Sequence, residues 1–281
     1  MRPDQFYVGV DTHMIGVDFP IMVSDLRLKR RKSLKSAAAP VMIDSGSFTI
    51  HDSGQSFDPP AVYVERIRRY QVEVGQVARV ATYGRMCEPY ILAKTGSTVE
   101  RNQALTIESY LTLVHLAPDV PWMPELQGWA LDDYHRHFDL YVEAGVDLAA
   151  LPVVGVGSIC RREGTLEARQ IVASVAARGV SVHGFGVKSP QTLGPDFVSA
   201  DSFAWSYGAR KRTGRCPHGI VVWEANCPEY LRAWRERILK RIADRGARVV
   251  VGRRGMEAGV LPGRERGRVQ GARGGVATAV P

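Results

Sequence analysis

Short apolar runs alternate with amphipathic stretches along most of this chain, and that alternation restricts its fold more than any other feature. Phe6 to Val10, Val41 to Ile43, Arg79 to Thr82, Met123 to Gln127, Leu148 to Val153 and Val180 to Val187 are compact and bounded by Gly, Pro or Asp. They read as strands buried on both faces. The intervening helices have recognisable ends. Asp58 before Pro59 and Pro60 starts one that carries Tyr63, Ile67 and Tyr70 on its apolar face. Ser97-Thr98-Val99-Glu100 has capping-box spacing ahead of Leu105, Ile107 and Leu111. Leu131 to Ala144 aligns Tyr134, Phe138 and Tyr141, with Gly145 where a left-handed cap belongs, and Thr165 to Arg178 ends the same way at Gly179. A last helix is expected from Pro228 to about Ala243. Repeated strand–helix units imply parallel strands with right-handed crossovers, hence an α/β barrel or an open doubly wound sheet. The 281 residues suit one barrel, a fold that routinely fills about 250.

Residues 1–245 are expected to form that unit. Residues 246–281, rich in Arg and Gly and without a helical or strand period, are expected to be a flexible basic tail. No apolar run approaches the roughly 20 residues that span a bilayer, and the first residues lack a signal-peptide pattern. Four cysteines do not make a disulfide framework, so a reducing, cytoplasmic location is the expectation and clustered cysteines become metal candidates. The net charge of +8, supplied mostly by arginine, favours a polyanion such as nucleic acid. A bias towards arginine in composition explains it as well.

Two acids follow buried strands. Met42-Ile43-Asp44-Ser45-Gly46 and Ser199-Ala200-Asp201-Ser202 each place a carboxylate where, in a barrel, the active-site rim lies. Each has a plainer reading, a turn acceptor for Asp44 and a helix N-cap for Asp201. Together they suit glycosidic chemistry, in which one carboxylate attacks or stabilises the anomeric carbon and the other handles protons. Gln127, at another strand end, gives and takes hydrogen bonds as a purine edge requires. Gly155-Val156-Gly157 and His183-Gly184-Phe185-Gly186 let backbone approach a flat ring, or simply pack tightly. Cys216, His218 and Cys227 form a zinc-like set with Glu224 as a candidate fourth ligand; the alternative is a reduced cysteine pair without metal.

Taken in order, Asp44-Ser45-Gly46, Gln127-Gly128, Gly155-Val156-Gly157, His183 to Val187 and Ala200-Asp201-Ser202 resemble the tRNA-guanine transglycosylase superfamily. Leu126-Gln127-Gly128-Trp129, Val156-Gly157-Ser158-Ile159-Cys160-Arg161-Arg162 and Asp201 to Ser206 are similar to its DNA-acting branch, the deazapurine-in-DNA transglycosylases. The resemblance covers roughly residues 5–243. It implies a TIM-type (β/α)8 barrel with a small zinc-binding insertion near the C-terminus. It implies that Asp201 attacks C1′ to form a covalent glycosyl-enzyme and that Asp44 then takes a proton from an incoming 7-deazaguanine. Ser45, Gly46, Gln127, Gly128, Gly157 and Gly186 would hold the base. Relatives carry an acid shortly before the Met-Cys pair, but Gly84 and Arg85 stand here, which makes Glu88 the candidate replacement. Trp129, Phe203, Trp205 and Tyr207 are candidates to stack on a flipped base. DNA is favoured over tRNA because the chain is shorter than the tRNA enzymes, and accessory DNA-modification proteins are further expected partners. A tRNA exchanger, a nucleoside-bond hydrolase and a catalytically lapsed, zinc-containing binding subunit remain as alternatives.

Overall fold

The computed structural model describes residues 5–190, 192–194, 196–211, 216–219 and 221–257. Its strands are β1 (Phe6–Val10), β2 (Ile21–Ser24), β3 (Val41–Asp44), β4 (Val77–Ala81), β5 (Trp122–Met123), β6 (Glu125–Leu126), β7 (Val154–Val156), β8 (Val182–Gly184) and β9 (Phe197–Ser202). The helices are α1 (Asp25–Leu28), α2 (Ser47–Ser53), α3 (Pro60–Glu73), α4 (Pro89–Thr95), α5 (Val99–Leu116), α6 (Leu131–Glu143), α7 (Leu166–Ala176), α8 (Ala204–Arg210) and α9 (Pro228–Glu257).

Every strand pairing is parallel, in the order β5-β4-β3-β2-β1-β9-β8-β7-β6. The two ends of that order are the same piece of chain. β5 pairs with β4, β6 pairs with β7, and only Pro124 separates them. Proline has no N–H to give a ladder, so the strand breaks there, while its carbonyl still accepts from Gly155 N at 2.8 Å. The nine segments therefore make eight staves of a nearly closed barrel, which rules out the open sheet. Alternation along the staves separates two cores. Tyr7, Met22, Met42, Ala81, Met123 and Val153 form one cluster, and Phe6, Val8, Ile21, Val23, Val41 and Ile43 join the larger one that includes helix residues such as Tyr63, Ile67 and Ile171.

Three expectations need correction. The strand expected over Leu148 to Val153 starts later, at Val154, because the Asp147 carboxylate accepts from Ala149 N and Ala150 N and coils Leu148–Ala150 into a 3-10 turn. β2 lies outside the expected strand pattern, although Ile21-Met22-Val23 after Pro20 has the same apolar run as Val41-Met42-Ile43 after Pro40. The last helix does not stop near Ala243 but continues to Glu257, so residues 246–257 of the expected flexible tail are helical. Each interior glycine there costs only about 1 kcal/mol relative to alanine, which good helix formers such as Arg and Ala offset. The rest of that expected tail, 258–281, lies outside the described residues. Among the described residues no helix is long and apolar enough to cross a membrane.

The start of the helical layer is tied down by one buried ion pair. Asp25, 1% exposed at the head of α1, accepts from Arg66 Nε at 2.9 Å, Arg66 Nη2 at 2.7 Å and Tyr70 Oη at 2.7 Å, both on α3. Removing Asp25 leaves the Tyr70 hydroxyl without its acceptor and Arg66 with Asp58, at 3.0 Å, as its one acid among the described residues. That loss falls at the lower end of the about 3–5 kcal/mol that breaking a buried pair costs. Asp25→Ala should accordingly lower unfolding stability by about 3 kcal/mol, read as a fall in the denaturant midpoint at unchanged slope. A midpoint within a few tenths of wild type would show that the pair contributes nothing.

Candidate active site

The C-terminal ends of the staves surround a cavity of about 710 Å³. Asp44 is the last residue of β3, in register with Ser24 of β2, and Asp201 lies near the end of β9, beside Tyr7 of β1. Both line the cavity, as do Ser45, Gln127, Gly157 and Gly186. Gly46, Gly128 and Glu88 do not. Gly46 makes the turn that lets its N–H reach Asp44 Oδ1 at 3.1 Å, with φ at +79°. Gly128 gives room to α6, since a Cβ there would lie 2.7 Å from the Asp133 side chain. Glu88 stands behind Ser158, to which it is bonded at 3.0 Å.

Asp201 is 3% exposed and its Oδ1 is held twice, by Gly186 N at 2.9 Å and by His183 Nε2 at 3.3 Å. His183 is fully buried, and its Nδ1 meets Ser199 Oγ at 2.8 Å. A carboxylate oxygen can only accept, so these neighbours place the imidazole proton on Nε2 and make the Ser199 hydroxyl the donor to Nδ1. The carboxylate is thereby locked in orientation, and Oδ2 makes no hydrogen bond among the described residues. Asp44 differs. Burial pushes its carboxyl up to about 6, the nearby charges of Asp201 and Asp25 add to this, and the Gly46 N–H and Ser24 hydroxyl oppose it.

One wall of the cavity is a hydrogen-bonded row. Glu88 Oε2 meets Ser158 Oγ, Ser158 Oγ meets Gln127 Oε1 at 2.9 Å, and Gln127 Nε2 donates to Glu125 Oε2 at 3.1 Å. Glu125 lines the cavity and is 4% exposed, and burial, reinforced by the charge of Asp44, pushes its carboxyl up to about 8. Sequence reasoning passed over this acid. The available signal was period-two alternation, which puts it on the same strand face as Gln127.

Residues 3–260 match the family model of deoxypurine in DNA protein A, DpdA. The chain belongs to the DpdA family. No curated protein was found to match it. Membership agrees with the DNA-acting transglycosylase branch that the sequence resembles, and it makes DNA the substrate class and base exchange, broadly, the role.

In this DpdA-family barrel the mouth of the cavity is basic and aromatic. Arg30, Arg161 and Arg210 line it and make no ion pair among the described residues. Phe203 and Tyr207 line it with 41% and 62% of their surface exposed, which leaves their rings accessible to a ligand. Trp205 lines it too but is buried and donates Nε1–H to Gly9 O at 2.7 Å, a core role. Trp129 is not part of the lining and lies under the Arg162 guanidinium, 4.1 Å from its ring centre.

Cys216, His218 and Cys227 come together just before α9, their ligand atoms all within 4.8 Å of one another. His218 Nδ1 lies 3.5 Å from each sulfur. A tetrahedral zinc with its usual bond lengths to sulfur and nitrogen separates such donors by about 3.6 Å, so the set fits a metal ion. Glu224, the expected fourth ligand, does not join the cluster.

Gly186 has a φ of +68°, and a Cβ on it would lie 2.6 Å from Cys160 Cβ. Gly186→Ala should destabilise the protein by about 1–3 kcal/mol, the usual cost of backbone strain at such a position, and disturb the N–H that holds Asp201. Thermal unfolding checks this, and an unchanged midpoint would mean that the loop relaxes at no cost.

Proposed function

We propose that this cavity exchanges guanine in DNA for a 7-deazaguanine-type base by double displacement at C1′ of the nucleotide. The observation that carries the reading is the pair of carboxyl groups, Asp44 and Asp201, facing one cavity beside a hydrogen-bonding wall. Oδ2 of Asp201 attacks C1′, the bond from C1′ to N9 of guanine breaks, and Asp44 in its acid form gives its proton to the departing base. The nucleotide is then an ester on Asp201. The incoming base attacks C1′ through its N9, the ester bond breaks, and Asp44 recovers a proton from that nitrogen. Both carboxyls end as they began. An orientation-locked Asp201 beside an Asp44 carboxyl that burial pushes up suits this division of labour.

The target base must leave the helix to reach the cavity, which costs least in single-stranded or distorted DNA. Phe203 and Tyr207 stack on the extruded nucleotide, and Arg30, Arg161 and Arg210 meet the flanking phosphates. Cys216, His218 and Cys227 would hold a zinc ion, which supplies cross-linking of the segment before α9 and no step of the reaction.

Labelled guanine should enter DNA with the wild-type protein and not with Asp201→Ala, while an equally folded Asp201→Ala that still exchanges base would overturn the nucleophile assignment. Offering tRNA in parallel separates the nucleic acids. Release of free base without uptake of labelled base would mark a hydrolase instead.

The acid form of Asp44 is needed for guanine to depart. Its folded proton affinity is raised, so that form is present below about pH 6 and is lost as pH rises through that value. Guanine release in a single turnover without acceptor base should therefore fall above about pH 6, and Asp44→Asn should be slow and flat with pH. A wild-type profile with no inflection between pH 5 and 7 contradicts this role.

Zinc analysis of the purified protein should find about one ion per chain, and Cys227→Ser should lose it with a lower thermal midpoint. Metal-free protein of unchanged midpoint would favour a reduced cysteine pair.

A further inference from the structure

Glu125 is an acid that the double displacement does not use. It is nearly fully buried, it lines the cavity, and its Oε1 has no hydrogen-bond partner among the described residues. A buried carboxyl oxygen without a partner is costly, and such groups in a cavity are completed by a ligand. Its other oxygen is engaged by Gln127 Nε2. The carboxyl occupies space that a side chain at residue 84 would take: a Cβ on Gly84 would lie 1.9 Å from Glu125 Oε2. Gly157 does the same for the neighbouring amide, since a Cβ there would lie 2.4 Å from Gln127 Nε2. Two glycines thus open a slot in which the carboxyl of Glu125 and the amide of Gln127 sit side by side.

The hydrogen-bond inventory of that slot is directional. Gln127 Oε1 is occupied by Ser158 Oγ, so the amide offers the cavity its second N–H, a donor. Beside it, Glu125 Oε1 as carboxylate offers an acceptor. Guanine and 7-deazaguanines present the complement along one edge, the O6 acceptor followed by the N1–H and amino donors. Adenine presents N6–H and then the N1 acceptor, the reverse.

We propose that Glu125 is the specificity-determining residue of this cavity, its Oε1 accepting from the N1–H and 2-amino edge of a guanine-type base while Gln127 donates to O6. The assignment rests on the base-exchange reading for its biological meaning, but not for its test, because a free base either binds this slot or does not. Burial and the charge of Asp44 hold the empty carboxyl in its acid form near neutrality, so binding of the base releases a proton. Ionised Asp44, which lines the same cavity, is a like charge to the Glu125 carboxylate and is part of what favours the acid form.

The test measures equilibrium binding of guanine and adenine by calorimetry, and base exchange into DNA, for wild type, Glu125→Gln and Gly84→Ala. In Glu125→Gln the carbonyl oxygen stays with Gln127 Nε2 and an NH2 group replaces Oε1, so a donor meets the donors of guanine. Guanine affinity should fall at least tenfold with the adenine-to-guanine preference moved towards adenine, and in exchange assays KM for the base should rise more than kcat falls. A merely structural role would lower the thermal midpoint and leave the preference unmoved. Gly84→Ala displaces the carboxyl without altering it and should weaken guanine binding as well, which keeps the test valid if Glu125→Gln folds poorly. Wild-type guanine affinity and preference in a folded Glu125→Gln would overturn the assignment and leave the exchange reading intact. Glu125-dependent guanine binding without any exchange would uphold the assignment and overturn that reading instead.

Discussion

A parallel barrel closes only when its last unpaired edges meet, and here the stave that joins them runs from Trp122 to Leu126 with a proline in its middle. Pro124 cannot donate to a ladder, so the front half of the stave serves β4 and the back half serves β7. Much of the site follows from this. The residues after the break, Glu125 and Gln127, are brought to the same cavity as Asp44 from β3 and Asp201 from β9, which lie far away along the chain. Loss of closure would scatter four groups that have meaning only together.

Once assembled, those groups share a poorly solvated space, and the surroundings separate their chemistry. Asp201 is pinned through one oxygen by a backbone N–H and a buried histidine, an arrangement that fixes its direction and leaves the other oxygen without a hydrogen bond among the described residues. Asp44 and Glu125 are pushed up to about 6 and about 8, chiefly by burial and further by negative neighbours. One orientation-locked acid and two acids pushed up to different extents in one cavity suit the three separate roles proposed for them.

Glycines shape the same cavity by omission. A side chain at Gly84 would displace the carboxyl of Glu125, one at Gly157 the amide of Gln127, and one at Gly186 would strike Cys160 and disturb the loop that holds Asp201. The hydrogen-bonded wall of the cavity therefore depends as much on missing Cβ atoms as on the polar atoms that fill their places. Gly128, by contrast, serves the packing of α6 and takes no part in the wall.

The sequence by itself determined the strand–helix alternation, most helix ends, and the two strand-end acids, because these are local: periodicity, caps and turns are set by neighbours in the chain. The Cys216, His218 and Cys227 grouping was legible for the same reason, all three lying within a dozen residues. Glu125 was not legible. Alternation within the 123–127 strand puts it on the face of Gln127, but only closure of the barrel makes that face the cavity, where burial changes its chemistry. Glu88 was misleading for the converse reason, since its place beside Met86 and Cys87 suggests the cavity but Ser158 stands in between. Barrel against open sheet, and which of several acids faces the cavity, were decided by pairings between β4, β7 and the 122–126 stave. Those depend on contacts between residues distant in sequence, which no local pattern encodes.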